Sequence, residues 1–403
     1  MDASHGSKKE LETKQVVFFS FRDFPEGNGA NSRIKAYAHA LIDAGYHVQL
    51  VFLWATSFNN EGINTASKGV WEGIPYQFIT KSSKRPKSLL GKIIQSFRSF
   101  CAVFLYFFQN HQKFKVCYFY SPEFVFYWHL ILLSKLFRKT VIAEQTELRS
   151  SYRNGRTPAQ SFWRFFHQYD EQNAQKFCNH LIVISHNLYT HYKEYVPKKR
   201  LTLIPIVVDL RRFTNHALKK PGLIGYVGSF GYKDGVEGII RAFEMAQLEN
   251  PLLRLRLIGY CENFEYIKAL VDSKGLNTKV ELTGLVLYNQ IPKLLEECEL
   301  LLLNRIDTKY AHYGSPTKLA EYLASGVPSI ITNVGDVKDY LTHLFDTYII
   351  APENDEELAK AMLLRFKEMA LFDAIGKQGR VTCEQKFSHQ KQLKKLVEIV
   401  ENL

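Results

Sequence analysis

The feature that most constrains this chain is an alternation that runs through it twice. Short apolar segments, continuous rather than alternating with polar residues, are separated by amphipathic stretches of helical length. In the first half QVVFFSF (15–21), HVQLVFL (47–53), VCYFY (116–120), TVIAE (140–144) and HLIVIS (180–185) read as strands, with a helix expected over 31–44. In the second half GLIGYVGSF, LRLRLIG, KVELTGLV, LLLLNR, PSIITN and TYIIA are the strands, and GVEGIIRAFEMA, NFEYIKALVDS, NQIPKLLEEC and PTKLAEYLAS the helices between them. Strands that are apolar on both faces need cover on both faces, which a parallel sheet between layers of helices supplies. Two such runs in tandem predict an α/β protein of two doubly wound, Rossmann-like domains. A length of 403 residues suits two cores better than one. The polar run TNHALKKPG (214–222) places the boundary, with a first domain over 1–215 and a second over 216–386. A last helix within 387–403 has no strand after it and is free to pack back on the first domain.

Charge divides the chain in the same place. Residues 1–215 carry 29 Lys and Arg against 15 Asp and Glu, and the remainder carries 23 against 25. The first half therefore expects an anionic partner: a membrane surface, a nucleic acid or a phosphorylated substrate. No recognition helix or RNA-binding aromatic motif accompanies the charge, so nucleic acid is not expected. Cysteines 101, 117, 178, 261, 298 and 383 show no C-x-x-C spacing, which fits a reducing compartment rather than a disulfide framework or zinc site. The polar start MDASHGSKKELETK lacks an apolar core, so no signal peptide is expected. The stretch FYSPEFVFYWHLILLSKLF (119–137) is nearly all apolar, but Pro122, Glu123 and His129 suit a buried helix better than a transmembrane one. Residues 87–108 mix Lys and Arg with Phe, Leu and Ile. They read either as a core-facing helix or as a basic amphipathic surface that touches lipid headgroups.

In open α/β sheets ligands bind beyond the C-terminal ends of the strands, so candidate sites follow strands. YVGSFGYKDGVEGIIRAF is a strand, a loop with Gly228, Gly231 and Gly235, and a helix; the loop is an ordinary turn or a phosphate contact assisted by Lys233. LLLNRIDTKYAHYGSPTKLAEYLASG runs a long polar loop into a helix. There Ser315 is expected as N-cap, Pro316 as the first helical residue and Gly326 as terminator. Leu319, Tyr322 and Leu323 mark the buried face of that helix. Lys318 in its first turn opposes the helix dipole. A solvated Lys318–Glu321 pair or an anion held by the helix N-terminus would each account for it. In the first domain RDFPEGNGANSRIKAY leads a Gly/Asn-rich loop into a helix, and Arg33 repeats the oddity of Lys318. In VIAEQTELRSSYRNGR, Glu144 and Glu147 close a strand, either as surface carboxylates or as groups for hydroxyl binding and proton handling. G-x-S-x-G, H-E-x-x-H and P-loop patterns are absent, and the histidines lack metal-ligand spacing.

Taken together, SPTKLAEYLASGVPSI (315–330), YVGSFGYKDGVEGIIRAF (226–243), LRLIGY with KVELTGLVLYNQIPKLLEECELLLL (254–303), LIPIVVDLRRF (203–213), EGNGANSRI and AGYHVQL resemble one family. It is the retaining glycosyltransferases of family 4 (glycosyl transferases group 1), in particular the bacterial polysaccharide and lipid-linked glycan branch. The resemblance implies the GT-B fold, two Rossmann-like domains facing a central cleft. It implies transfer of a sugar from a nucleotide-sugar donor to a glycan or lipid-linked acceptor with retention, without metal or cofactor. Glu321 would match the second glutamate of the E-x7-E motif and hold the ribose hydroxyls. Lys318 and Lys233 would face the leaving diphosphate, with donor contacts from Gly228, Ser229, Gly284, Arg305, Gly314, Ser315 and Thr317. Gly29, Asn31, Arg33, Glu144 and Glu147 would line the acceptor side.

Four departures stand out. Tyr313 occupies the place of the first motif glutamate, Ser229 that of a common arginine, and Asp234 that of a common phosphate-binding lysine. EQTE replaces a first-domain histidine. The implied location is cytoplasmic, peripheral at the inner face of the cytoplasmic membrane, with the basic half toward the anionic surface. The other readings are a nucleotide-sugar epimerase or hydrolase of the same fold, and a non-catalytic glycan-binding protein.

Overall fold

The computed structural model describes residues 14–22, 24–25, 29–55, 66–122, 124–152, 158–214, 217–260 and 264–403. The chain forms two compact units, residues 1–205 with 393–403, and residues 206–392. The boundary expected between 215 and 216, part of the EGNG loop and Cys261 lie outside the described residues. The segment after Pro205 packs with the second unit. Ile206, Val208 and Phe213 are buried, and Val208 N–H donates to the Phe387 carbonyl at 3.0 Å.

Among the described residues the first unit builds one sheet from β1 (Gln15–Ser20), β2 (His47–Phe52), β3 (Lys68–Trp71), β4 (Ile74–Phe78), β5 (Val116–Tyr120), β6 (Thr140–Gln145), β7 (His180–Val183) and β8 (Leu201–Leu203). The order is β3-β4-β2-β1-β5-β6-β7-β8, and only β3–β4 is antiparallel. Its helices are α1 (Gly29–Asp43), α2 (Leu89–Asn110), α3 (Phe124–Leu136), α4 (Pro158–Asn173) and α5 (His186–Tyr192). The central strands are buried on both faces, as their unbroken apolar sequences require. Helix α3 buries Tyr127, Leu130, Ile131 and Leu133, so this apolar stretch is a core helix. Helix α2 differs: Leu89, Ile93, Phe97, Phe104 and Phe108 are exposed on it. Among the described residues the segment Leu89–Lys113 alone is long and apolar enough to cross a membrane by length and composition.

The second unit is a parallel sheet of β9 (Leu223–Val227), β10 (Arg254–Ile258), β11 (Val280–Gly284), β12 (Leu300–Leu303), β13 (Ser329–Thr332) and β14 (Tyr348–Ile350), in the order β11-β10-β9-β12-β13-β14. Around it lie α6 (Val236–Glu249), α7 (Phe264–Ser273), α8 (Ile291–Glu296), α9 (Lys309–Tyr313), α10 (Thr317–Ala324), α11 (Val337–Tyr340), α12 (Asp355–Lys367), α13 (Met369–Lys386) and α14 (His389–Glu401), whose last residues belong to the first unit. Ile224, Leu255, Leu257, Leu300 and Leu302 meet Ile239, Ile240 and Phe243 of α6 in its core. Each such side chain contributes about 1.5–3 kcal/mol by leaving water. Chain order along the sheet reverses between β9 and β12. A sheet of this kind opens a crevice for ligands at that point.

Candidate functional site

The loops that leave β9 and β12 are tied together at the crevice. Tyr322 on α10 joins the two strand ends: its hydroxyl accepts from Val227 N–H at 2.9 Å and donates to the Leu302 carbonyl at 3.1 Å. Asn304 donates to the Gly235 carbonyl at 2.9 Å, and Ile306 N–H to the Lys233 carbonyl at 3.3 Å. Gly235 has φ +59° and starts α6; a Cβ there would sit 2.1 Å from the Asn304 carbonyl oxygen. Only glycine allows this approach without displacing backbone.

Helix α10 begins one residue later than the sequence implies. Pro316, extended at φ −75° and ψ 120°, is the N-cap in place of Ser315, and no side chain caps the first turn. Leu319 N–H donates to the Pro316 carbonyl at 3.0 Å, and a helix start without a side-chain cap is a place where anions can bind. The far end closes as expected at Gly326, with φ +66°, and Leu319, Tyr322 and Leu323 are buried.

Lys318 is neither solvated nor paired with Glu321, which corrects the first of the two sequence readings. Its ammonium lies 2.6 Å from Asp234 Oδ1 and donates to the Tyr226 hydroxyl at 2.9 Å. Burial lowers its pKa, and Arg305 and Lys233 nearby act in the same direction against Asp234. Burial would raise Asp234, but Lys318 and then Lys233 and Ser229 outweigh it and hold the carboxyl below its ordinary value. Ser229 Oγ donates to Asp234 Oδ2 at 3.0 Å. Lys233 donates to the Tyr310 hydroxyl at 2.7 Å and lies over that ring. Arg305 is buried and donates to the Gly314 carbonyl at 3.2 Å. Ser315 and Thr317 are half-buried where the loop enters α10. Gly228 packs directly on the lysine head, and a Cβ there would lie 2.3 Å from Lys318 Nζ. Gly284 ends β11 at φ +68° and accepts from Gly259 N–H.

Glu321 has a partner that the sequence reading missed. Arg212 Nη1 lies 3.2 Å from Glu321 Oε1, its guanidinium stacks 3.5 Å from the centre of the Tyr288 ring, and Nη2 donates to the Tyr288 carbonyl at 2.8 Å. Burial raises the Glu321 pKa, with Arg212 acting against it. The one available signal was the arginine doublet closing the apolar run LIPIVVDL. Lys318, Lys233, Arg305 and Arg212, with the carboxylates Asp234 and Glu321, thus lie beyond β9 and β12. That set can balance a diphosphate and accept hydrogen bonds from hydroxyls.

The first-unit candidates divide. Arg33 Nε lies 2.6 Å from Glu144 Oε1, Tyr118 OH donates to Oε2 at 2.6 Å, and Arg33 also donates to the Ile204 and Pro205 carbonyls. Arg33 and Glu144 are 3% and 0% exposed, so they knit the sheet's interior. This corrects the surface-carboxylate reading of Glu144. Burial opposes the charge of Arg33, yet Glu144 and the neighbouring tyrosines raise its pKa. Asn31 is also buried and donates to the Pro25 carbonyl at 3.1 Å. Gly29 and Glu147 are half-buried.

The fold defines an α/β protein of the GT-B type, with a crevice beyond β9 and β12 in its second unit. Residues 209–382 match the family model described as "Glycosyl transferases group 1". Among curated proteins, the amylovoran biosynthesis glycosyltransferase AmsK of Erwinia amylovora is 23% identical over 212 residues, 51% of this chain and 52% of that protein. The chain spans about half the length of the curated relatives it matches. Among solved structures, the sucrose-phosphate synthase of Thermosynechococcus elongatus superposes with a TM-score of 0.76 at 16% identity, covering 96% of this chain and 98% of that one. Anabaena HepE, solved in complex with UDP-glucose, gives 0.71 at 14%, covering 96% and 100%. The GT-B fold is shared with these.

Proposed function

We propose that this chain is a retaining glycosyltransferase that moves a sugar from a nucleotide-sugar to a glycan or lipid-linked acceptor at a membrane surface. The observation that carries the reading is the placement of Lys318 and Glu321 one turn apart on α10, beside the β9–β12 crevice. The uncapped helix start and Lys318, assisted by Lys233 and Arg305, receive the diphosphate; Glu321 accepts from the ribose hydroxyls. The acceptor oxygen attacks the anomeric carbon on the face from which the diphosphate departs. The bond between that carbon and the phosphate oxygen breaks, and the departing phosphate takes the hydroxyl proton. Charge growing on the leaving oxygen is what a lysine and helix dipole stabilise. In this reading the cations balance the phosphates without a metal, so chelation should leave the rate unchanged.

The membrane part of the proposal rests on the first unit. Helix α2 carries exposed Leu89, Ile93, Phe97, Phe104 and Phe108 without an acidic residue, and α4 exposes Phe162, Trp163 and Phe165. Apolar side chains set among Lys84, Arg85, Lys87, Lys92 and Arg98 make an interfacial surface for anionic lipid. Such a location would be cytoplasmic and peripheral. Incubation with a panel of nucleotide-sugars, with and without lipid-linked acceptor, tests the activity through nucleotide diphosphate release. The anomeric configuration of the product, read by NMR, tests retention. Release that never depends on acceptor would favour a hydrolase or epimerase instead.

A further inference from the structure

The residue that departs most in charge from what an anion site needs is Asp234. A carboxylate beside a bound diphosphate repels it, yet this one is built in. Its side chain is 5% exposed, Oδ1 lies 2.6 Å from Lys318 Nζ, and Oδ2 takes the Ser229 hydroxyl at 3.0 Å. Lys318 itself is enclosed: Tyr226 accepts from it on one side and Gly228 closes over its head. The groups that face it are Asp234 and Tyr226 from the β9 side, Lys233 beside Asp234, Arg305 beyond β12, and Glu321 on its own helix. Tyr322 lies on the same helix and faces Asp234. Glu321 is engaged by Arg212. Asp234 is therefore the anion bonded to Lys318, against two neighbouring cations and the cost of burial. A buried ammonium without a counter-charge gives up its proton rather than remain charged.

We infer that Asp234 is a positioning residue of the donor site, which keeps the Lys318 ammonium charged and fixed beside Tyr226 and Gly228. The inference rests on the donor-site reading above and extends it. Asp234 acts through Lys318 and touches no substrate. Its negative charge costs some attraction for phosphate, and in return it supports the charged form of the lysine, which burial disfavours. Removing it should leave a site that holds diphosphate well only where Lys318 protonates unaided.

The test is calorimetric titration of uridine, guanosine and adenosine diphosphates into the full chain, followed by the tightest binder from pH 7 to 9. If the wild type binds none of them, the donor-site reading itself falls. If it binds, its affinity should change by less than about threefold over that range, whereas Asp234→Asn should lose about tenfold or more as pH rises, one pKa unit being a factor of ten. Asp234→Glu, which keeps the charge, should follow the wild-type profile. In a Lys318→Met background Asp234→Asn should not weaken binding at any pH, because a residue that works through another supports nothing without it and only its direct repulsion of phosphate is relieved. An Asp234→Asn profile parallel to wild type, tighter binding at every pH, an Asp234→Glu profile like that of Asp234→Asn, or a full loss persisting in the Lys318→Met background would each overturn the inference.

Discussion

Lys318 sits where a cation opposes the helix dipole by about 0.3–1 kcal/mol, and the Asp234 carboxylate at 2.6 Å offsets that. Glu321 is the complementary case, a carboxylate whose pKa burial raises above its ordinary 4.5 while Arg212 restrains the rise. Accepting ribose hydroxyls needs the ionised form. Nucleotide diphosphate affinity should therefore fall as pH drops through a value above 4.5, and Glu321→Gln should flatten that limb; calorimetry across pH 4–7 reads both. A limb that survives in the Gln variant would assign it to another group. The buried Arg33–Glu144 pair carries a stability prediction. Removing one member of a buried ion pair strands the other, at a cost of about 3–5 kcal/mol. Glu144→Leu should lower the denaturant midpoint by a corresponding amount, and an unchanged midpoint would contradict the buried pairing. Sequence spacing brought out Lys318 and Arg33 as cations at helix starts. It could not reveal their partners, because Asp234 and Glu144 are 84 and 111 positions away and only the fold brings them near.

Most strands were legible because they are continuous apolar runs in a sheet covered on both faces. VCYFY is β5 itself, and the strands of the second unit fall inside the segments read from sequence. The β3–β4 hairpin was not, for a physical reason. It lies at the sheet edge, β3 is largely exposed, and β4 alternates buried and exposed residues around Pro75. Its turn uses Glu72 and Gly73, both at positive φ, where asparagine or aspartate before glycine is the recognisable signal. The three-residue β8 is too short to show a period. Helix α4 carries a prediction of its own. Burial raises Asp170 from 3.8 to about 8. The unfolded chain ionises this group near 3.8, so the stability tied to its protonated form is complete below that pH and is lost as pH rises through 8. Asp170→Asn should raise the melting temperature more at pH 9 than at pH 4. Equal shifts at the two pH values would show that the carboxyl is not held protonated.

At the scale of the molecule, an excess of Lys and Arg over residues 1–215 adjoins a nearly neutral remainder. The excess accompanies the exposed apolar face of α2, and the proposed docking on anionic lipid rests on the two together. Near such a leaflet each Lys or Arg contributes about 1 kcal/mol, screened by salt. Flotation with anionic vesicles should carry the protein upward at low salt, and less so at high salt or after joint neutralisation of Lys84, Arg85, Lys87 and Lys92. Protein that stays at the bottom of the gradient at low salt would assign the charge to a soluble partner. The central claim is that the β9–β12 crevice holds a nucleotide diphosphate through Lys318 and Glu321. Charge-assisted hydrogen bonds to Glu321 are worth about 1.5–3 kcal/mol, so the most direct measurement is calorimetric titration of the nucleotide diphosphate released in the donor panel into wild type and Glu321→Ala. Binding weakened tenfold or more in a variant that keeps its fold is the predicted result; equal affinity in the two proteins would contradict the claim.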